Sequence, residues 1–416
     1  MKAIIPILFL LITRSTYAQV DTIRWTQLSP LPDNIQRSLS AYFLIDSNFY
    51  VAGGQIAFTG SYINNMWRYH IPTDHWYQMG NIPFGQADAG ASFVLNGKGY
   101  FLTARDSIQN GNCDRMLWQY NPLTDTWLQK ANFPDSPRQQ ASYFTNAGYG
   151  YVGQTGGCVK DDNHFWKYDP ILDSWSPIAT LPASIPISGS YAVSTLGNYG
   201  YVIGGSDQNF TVYGNLYRYN VTNNIWDTLS IIPGSGRDFP IMWGFDSILI
   251  AGGGVSASGF YSDFYKYSIE QNNWTSVVFE NSFDSAALGA TFIYKKQGYY
   301  FGGFSSYFQN TFSNKLWSFD ASKFFPPDTP NGLTNIKPDI LFSVFPNPIS
   351  GGQEFSISTS EGGSIIFYDA LGGVLDERKL VRGVNSINLT TENEVVFYKA
   401  TLQGGTLKNG KLVLLR

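Results

Sequence analysis

Short runs in which apolar and polar residues alternate cover most of the chain, and they predict β-strands. The most regular run carries two aromatic residues at positions i and i+2, which places both rings on one face of a strand. It occurs six times, at Trp67/Tyr69, Trp118/Tyr120, Trp166/Tyr168, Tyr217/Tyr219, Tyr265/Tyr267 and Trp317/Phe319. No long stretch has the period of an amphipathic helix. The pattern therefore predicts an all-β protein.

A tryptophan follows the first five aromatic pairs, nine residues after the first ring. These five are Trp76, Trp127, Trp175, Trp226 and Trp274, and with Trp25, which has no pair before it, they form a series at intervals of 51, 51, 48, 51 and 48 residues. The turn between a pair and its tryptophan usually contains Pro, Asp or Asn, as in "PLTD" and "VTNN". The constant spacing predicts a hairpin of fixed register. A repeat near fifty residues predicts four-stranded modules with the tryptophans buried between them.

A double glycine closes the second strand of four modules. The pairs are Gly53/Gly54, Gly204/Gly205, Gly252/Gly253 and Gly302/Gly303. Modules two and three have "YFLTA" and "YVGQT" at this place, which predicts irregular strands there. The glycines, the aromatic pairs and the tryptophans together resemble the kelch repeat family over residues 21–323. The resemblance implies a β-propeller.

The first and last modules are each incomplete. Module six has no tryptophan nine residues after Trp317, and "TIRWTQL" at the other end has no module before it. We expect residues 22–28 to supply the missing outer strand and so remove a free sheet edge. The predicted fold is an all-β, six-bladed kelch-type β-propeller, residues 19–323, closed by an N-terminal strand and followed by a small C-terminal β-sandwich.

The two ends of the chain differ from the repeats. Residues 1–18 contain Lys2, an apolar run and small or polar residues up to Ala18, which is the layout of a secretory signal peptide. Residues 324–340 are rich in proline and predict a linker. Residues 341–416 alternate in short runs and predict a β-sandwich. No other segment is long and apolar enough to be a transmembrane helix.

Three motifs in the C-terminal segment belong together. "FPNPISG", "IFYDALGGVL" and the terminal "GKLVLLR" resemble the C-terminal sorting domain of the type IX secretion system of the Bacteroidetes lineage. The run "EVVFYKATL" departs from that pattern because it lacks a glycine just before the aromatic residue. The resemblance implies recognition by the type IX machinery and a secreted or outer-membrane surface location. The alternative is an ordinary accessory sandwich.

Composition narrows the range of partners and cofactors. A net charge of −4 gives no basic field, so no nucleic acid is expected to bind. Two cysteines, Cys113 and Cys158, lie in long loops of adjacent modules and form either a disulfide or two free thiols. The histidines His70, His75 and His164 are too dispersed to share a metal ion. We therefore predict no metal and no cofactor.

Arginine recurs just before the innermost strand of alternate modules. Arg37 and Arg138 precede the second-strand residues Tyr50 and Tyr151 by thirteen residues, and Arg237 precedes Leu249 by twelve. On a closed ring these three guanidiniums would surround the mouth of the channel, with a fork geometry that suits carboxylates. We predict a site for an acidic ligand. The alternative is that the arginines brace loops through backbone carbonyls.

The long loops on the same face carry aromatic side chains that could stack on a sugar or pack on a protein. The candidates are Tyr62, Tyr213, Phe260 and Tyr307, together with Phe58, Phe210, Tyr261 and Phe308. Function is expected on long loops held by a rigid scaffold. The alternative is that these rings pack on their own loops.

The predicted function is a secreted or cell-surface binding module, monomeric, whose ligand is a glycan or a protein. The alternative is a carbohydrate-active enzyme that resembles the bacterial kelch sialic-acid mutarotases, because three arginines could hold a sugar acid. Asp88, Asp238 and Asp284 lie near the predicted mouth in sequence. Their spacing identifies no catalytic pair, so no catalytic residue is assigned.

Overall fold

The structure is a computed structural model in which two compact units are present, residues 1–327 and 328–416. The described residues are 21–56, 61–85, 87–106, 113–137, 140–155, 162–182, 191–207, 209, 211–256, 258–281, 287–306, 311–325, 342–345, 349–350, 355–359, 362–389, 391, 395–402 and 407–415. They form β-strands and two single-turn 3-10 helices, Ile71–Thr73 and Ser322–Phe324. Within these ranges no helix has the length and hydropathy needed to cross a lipid bilayer.

The described part of the first unit contains six main sheets, numbered here in chain order. Each has four antiparallel strands, and sheet 5 has a fifth strand, Asp21–Ile23, added in parallel at its outer edge. Sheet 1 consists of Ala41–Ile45, Asn48–Ala52, Met66–His70 and His75–Met79. Sheet 2 consists of Ala87–Leu95, Lys98–Asp106, Leu117–Asn121 and Thr126–Lys130. Sheet 3 consists of Ser142–Asn146, Tyr149–Thr155, Asp162–Asp169 and Ser174–Pro177.

Sheets 4 to 6 repeat this order. Sheet 4 consists of Tyr191–Leu196, Tyr199–Gly204, Leu216–Asn220 and Ile225–Thr228. Sheet 5 consists of Ile241–Phe245, Ile248–Gly252, Phe264–Ser268 and Asn273–Phe279. Sheet 6 consists of Gly289–Tyr294, Gln297–Gly302, Leu316–Asp320 and the N-terminal Thr26–Leu28.

Short hairpins lie between the second and third strands of three sheets. They comprise Gln55–Ile56 with Ser61–Tyr62, Val255–Ser256 with Gly259–Phe260, and Phe304–Ser306 with Thr311–Phe312. Arg37–Ser38 adds a third strand to the first of them. These hairpins extend the loops that carry most of the predicted site residues.

The hydrophobic core consists of six clusters, each shared by two neighbouring sheets. Phe43 of sheet 1 packs in one cluster with Phe101 of sheet 2, and the series continues through sheets 2/3, 3/4, 4/5 and 5/6. The sixth cluster joins sheet 6 back to sheet 1, where the rings of Phe49 and Phe292 stack with centroids 4.1 Å apart. Among the described residues the sheets therefore pack in a closed cycle.

The N-terminal segment takes part in two sheets. Thr26–Leu28 pairs antiparallel with Leu316–Asp320 and supplies the outer strand of sheet 6. Asp21–Ile23 pairs in parallel with the outer strand of sheet 5, with Asp21 opposite Val277. Sequence reasoning assigned the whole of residues 22–28 to the last module. The structure divides them, because Trp25 is buried between the two sheets and ends the first pairing.

The repeated tryptophan and the turn before it form a clamp on the preceding sheet. In sheet 3, Trp175 Nε1 donates to the carbonyl of Ala131 at 3.0 Å, and Asp173 Oδ1 accepts the N–H of the same residue at 2.9 Å. The Tyr168 hydroxyl also donates to this carboxylate. The same two-sided clamp holds Ser29, Ala179 and Ser230, through the pairs Asp74/Trp76, Asn224/Trp226 and Asn272/Trp274.

The turn residue of each clamp has a left-handed backbone, with φ between 48° and 58°. Asp and Asn adopt this conformation at a lower cost than other non-glycine residues. In sheet 2 only half of the clamp forms: Asp125 accepts the Gly80 N–H at 3.0 Å, but Trp127 Nε1 has no acceptor within the described residues. The recurring Asp/Asn and Trp therefore hold one sheet to the next.

The double glycines lie where one sheet approaches the next. Gly53 has φ 61°, and a Cβ there would lie 2.6 Å from the carbonyl oxygen of Ala87. Gly54 donates its N–H to that same oxygen at 2.7 Å. Sheets 2 and 3 lack the double glycine and instead have longer second strands, with register shifts at Asp88/Ala89, Ala89/Ala91 and Gly153/Thr155. These bulges are the irregularity that the sequence predicts.

The second unit contains two sheets over one hydrophobic cluster. One sheet has the strands Phe342–Phe345, Phe355–Thr359 and Gly383–Ile387. The other has Ile349–Ser350, Gly363–Tyr368, Val374–Leu380, Val395–Leu402 and Leu407–Leu415. Ile357 from the first sheet and Phe367 from the second are both fully buried in the shared cluster. The predicted linker, residues 324–340, lies almost wholly outside the described residues.

Candidate ligand-binding site

A cavity of about 380 Å³ lies between the first strands of all six sheets. Its wall has a regular origin. In the first strands of sheets 1, 3 and 6, a phenylalanine pairs with a tyrosine of the second strand. The residue before this phenylalanine is Tyr42 in sheet 1, Tyr143 in sheet 3 and Thr291 in sheet 6. Each of these three side chains is partly exposed. The innermost strands therefore present one face of each sheet to a common space, as expected where strand residues alternate between two faces.

The described part of the cavity wall carries no formal charge. None of the described residues that line it is Asp, Glu, His, Lys, Arg or Cys. Burial raises the pKa of the Tyr42 and Tyr143 hydroxyls above the usual value, so both stay protonated at neutral pH. Ser92 lies between these tyrosines and binds the backbone N–H and C=O of Tyr42 at 3.0 and 2.9 Å. The site can donate and accept hydrogen bonds but offers no strong base.

Arg37 lies in a closed network beside the first sheet. Its Nη1 donates to Asn65 Oδ1 at 2.7 Å, and its Nη2 donates to Asp33. The same Asp33 carboxylate accepts Trp67 Nε1 at 3.0 Å. The side chain of Arg37 is 0% exposed, and burial lowers its pKa despite the opposing charge of Asp33. Arg37 therefore ties the segment before sheet 1 to the third strand of that sheet.

Arg237 is held in the same way in sheet 5. It forms a two-bonded ion pair with Asp263, at 2.9 Å from Nη1 and 3.2 Å from Nη2, and its Nη1 also reaches the Gly253 carbonyl at 3.3 Å. The ring of Tyr261 lies 4.8 Å from its guanidinium carbon. The Arg237 side chain is also 0% exposed.

The prediction that three free arginines surround the channel mouth is therefore corrected at the two described positions, Arg37 and Arg237. Arg37 and Arg237 are buried and neutralised by aspartates within the chain, so neither presents its guanidinium to an acidic ligand. The bracing alternative describes both, with carboxylates as the main partners. Arg138, the third member, lies outside the described residues, as does Ser188 at the same register in sheet 4.

The predicted aromatic contacts fall into different environments. Tyr62 is buried in its hairpin, and the Tyr213 hydroxyl donates to Asp207 at 3.1 Å. Phe260 is partly exposed and packs in a small cluster with Phe304, their ring centroids 6.4 Å apart. Tyr307 lies outside the described residues, with Phe58, Phe210 and Phe308. Of the four chosen residues, Tyr213 and Phe260 are described and partly exposed, and Phe260 belongs to the cluster that contains the cavity-lining residues Phe239 and Leu288.

Sequence reasoning missed two features of this site. The first is the set of partly exposed hydroxyls on the wall at Thr145, Thr195 and Thr291. The second is a rim whose residues have a left-handed backbone: Leu39, Gln140, Phe239 and Leu288, with φ between 49° and 56°. Each lies two residues beyond the arginine position of its module. The constant spacing of two residues after the arginine position could have marked these residues. Their backbone conformation could not be predicted, because left-handed Leu and Phe residues are rare and no pattern of residue types indicates them.

Cys113 and the three histidines are not among the described residues that line the cavity. Cys113 is in a disulfide, and the sequence has one other cysteine, Cys158, which lies outside the described residues. His164 Nδ1 lies 3.4 Å from Asp135 Oδ2, and His70 pairs with His75 across a hairpin. Within the described ranges no cluster of three His, Cys, Asp or Glu side chains is arranged to hold a metal ion.

Comparison with known proteins supports the repeat interpretation. Residues 144–325 match a family model described as the KLHDC2/KLHL20/DRC7 Kelch-repeats domain. None of the curated proteins is significantly similar to this chain in sequence. Among solved structures, "Structure of YjhT" is similar with a TM-score of 0.57 and 14% identity, over 69% of this chain and 95% of that one. At this identity the likeness concerns the fold alone. The family model places a kelch-repeat domain within residues 144–325, and the cycle of sheets has the arrangement of a β-propeller.

Proposed function

We propose that this chain is a binding protein whose ligand enters the cavity between the first strands of a closed, six-bladed propeller. Six sheets, each built on four antiparallel strands, and the cycle of shared core clusters support the number of blades. The binding function depends on one observation, which is that the described wall of the cavity contains no acidic, basic or thiol side chain. Proton-transfer catalysis needs a positioned acid or base, whereas recognition does not.

Fold-level analogy supports the same conclusion without identifying the ligand. A kelch-repeat propeller suggests a binding module. A rigid ring of sheets that presents loops and one central cavity is the arrangement in which binding residues are usually found. Glycans and proteins are both compatible with the fold, so the test has to begin from the cavity.

Blocking the cavity tests whether ligands bind there. Thr291 is partly exposed on the wall, whereas Thr275 lies exposed on the outer strand of sheet 5. We expect Thr291→Arg to lose retention of any glycan or peptide that the immobilised protein retains, because a long cation would fill an uncharged space. Thr275→Arg serves as the matched control and should retain the ligand. Equal retention by both variants would place the ligand elsewhere and contradict the proposal.

A second measurement separates a binder from a sugar-acid isomerase. Two-dimensional NMR exchange spectra of a free sugar acid report the rate at which its anomers interconvert. We expect the rate with protein to equal the rate in buffer, since the described wall has no carboxylate, imidazole, amine or thiol and burial keeps the Tyr42 and Tyr143 hydroxyls protonated. Faster exchange that is abolished by Thr291→Arg would replace binding with catalysis as the function.

We also propose that the protein is exported through the type IX secretion system and acts at the cell surface or in the medium. The signal-like residues 1–18 and the separate C-terminal unit support this, as does the disulfide of Cys113, since disulfides persist mainly outside the cytoplasm. A variant lacking residues 341–416 should accumulate in the periplasm, as measured by cell fractionation. Equal export of the full and the shortened chains would refute this route.

A further inference from the structure

The charge balance at the rim argues against an acidic ligand. The two described arginines that could meet a carboxylate are already paired with Asp33 and Asp263 and are fully buried. Removing either arginine from its aspartate would leave an uncompensated buried charge, which costs several kcal/mol. The described wall adds no cation of its own. A ligand that binds here therefore gains most if it is uncharged.

The hydroxyl groups on the wall are available for hydrogen bonds. Thr145, Thr195 and Thr291 come from sheets 3, 4 and 6, line the cavity and are partly exposed. Within the described part of the chain their hydroxyls have no hydrogen-bond partner. A hydroxyl can donate one hydrogen bond and accept two. Groups of this kind match a ligand that carries several hydroxyls in different directions.

One side of the rim is apolar. Phe239 and Leu288 line the cavity, are partly exposed, and belong with Phe304 to a small cluster between sheets 5 and 6. Both have a left-handed backbone, with φ 49° and 56°, a conformation that is unfavourable for an L-residue. Strained residues of this type cluster at ligand sites, where the surrounding structure holds them in place. The aromatic face of Phe239 offers a flat, electron-rich surface.

We propose that the cavity binds the uncharged end of a saccharide, with one sugar face against Phe239 and Leu288 and sugar hydroxyls on Thr145, Thr195 and Thr291. This inference rests on the proposed binding function and specifies its ligand class. A sugar ring has an apolar face and a rim of hydroxyls, so it matches both sides of the wall at once. The cavity volume of about 380 Å³ lies near the lower end of the range for ligand sites, which suits a chain end and not a long segment.

The experiment uses the mature full-length protein on an array of neutral, sialylated and uronate-containing glycans, followed by titration calorimetry with the neutral glycan retained best. The triple variant Thr145→Val, Thr195→Val, Thr291→Val keeps the β-branched shape but removes the hydroxyls. We expect its Kd to rise about tenfold or more, because each hydrogen bond contributes roughly 0.5–1.5 kcal/mol. Thr275→Val is the matched surface control and should leave the Kd unchanged.

Salt dependence gives a second readout. An uncharged ligand should bind with nearly the same Kd in 50 and 500 mM NaCl, because no ion pair is available to be screened. Retention of acidic glycans alone, or a Kd that rises steeply with salt, would overturn the ligand class and leave the binding function standing. If the protein retains no glycan but retains a peptide, and Thr291→Arg abolishes that retention, the saccharide class is also overturned while the binding function stands. Retention that is insensitive to Thr291→Arg would overturn the binding site itself.

Discussion

At the scale of single residues, the strongest recurring interaction is the clamp that Asp173 and Trp175 place on the backbone of Ala131. Burial alone would raise the pKa of Asp173. Hydrogen bonds from the Ala131 N–H and the Tyr168 hydroxyl, with the nearby Lys130, outweigh burial and lower that pKa below its usual value. Asn takes the same place in sheets 4 and 5. The amide oxygen is thus sufficient, and the charge is not essential to the clamp.

The half-formed clamp of sheet 2 provides a matched pair of variants. Trp175→Phe removes an indole and its hydrogen bond to Ala131, whereas Trp127→Phe removes a similarly buried indole that has no acceptor within the described residues. We expect Trp175→Phe to lower the free energy of unfolding by about 1 kcal/mol more than Trp127→Phe. Urea denaturation of both variants measures the difference. Equal losses would show that the hydrogen bond contributes nothing.

The sequence predicts the hairpin that carries the clamp but not the backbone group, at Ala131, to which the clamp binds. The nine-residue spacing fixes Trp175 opposite Tyr168, because register in a hairpin is local. Ala131 lies 44 residues earlier and has no distinctive side chain, since its contribution is backbone alone. The aspartate partners of the two arginines were missed for a related reason. The partner of Arg37 precedes it by 4 residues and that of Arg237 follows it by 26, so no single motif contains both pairs.

At the scale of strands and sheets, the repeat predicts the regular elements well and the departures from them less well. The register pairs Ile250 with Trp243 just as it pairs Tyr50 with Phe43. Ile250 is therefore the true equivalent of Tyr50, and Arg237 precedes it by thirteen residues, as Arg37 precedes Tyr50. Sequence reasoning aligned Leu249 with Tyr50, because a strand of consecutive aliphatic residues has no aromatic residue to mark its register.

Sheets 2 and 3 show what happens when the double glycine is missing. The second strand of sheet 2 continues to Asp106 instead of turning, and a bulge near Ala89 absorbs the extra length. The absence of glycine predicted irregularity, because only glycine allows the close turn. The absence of glycine could not predict a longer strand, because strand length depends on the pairing that the adjacent strands offer.

At the scale of the whole domain, closure of the ring depends on a short N-terminal segment. Trp25 is buried between sheets 5 and 6, with its ring 4.7 Å from Phe279 and 5.0 Å from Phe319. The strand before Trp25 pairs with the outer strand of sheet 5, and the strand after it is the outer strand of sheet 6. Residues from the start and from the end of the domain thus share one core.

Removing this segment should destabilise the propeller as a whole. We expect Trp25→Ala to lower the free energy of unfolding by about 3–5 kcal/mol, as for other buried tryptophans, and deletion of residues 19–29 to lower it further. Thermal and urea unfolding measure both. The surface control Ile171→Ala, at a side chain 80% exposed, should change stability by no more than about 0.5 kcal/mol. Full stability after the deletion would refute closure by this segment.

The sequence by itself determined the all-β class, the repeat and the place of the five hairpin tryptophans, because these follow from local periodicity and turn chemistry. Only the tertiary structure decided which arginines are neutralised, where the N-terminal strand divides, and that the described cavity wall is uncharged. The divided N-terminal strand and the cavity wall depend on contacts between residues tens to hundreds of positions apart. The two arginine pairings span 4 and 26 residues, so neither kind of contact leaves a period in the chain. The proposed saccharide site rests on that second kind of information, on three hydroxyls and one aromatic ring that meet only when the ring of sheets closes.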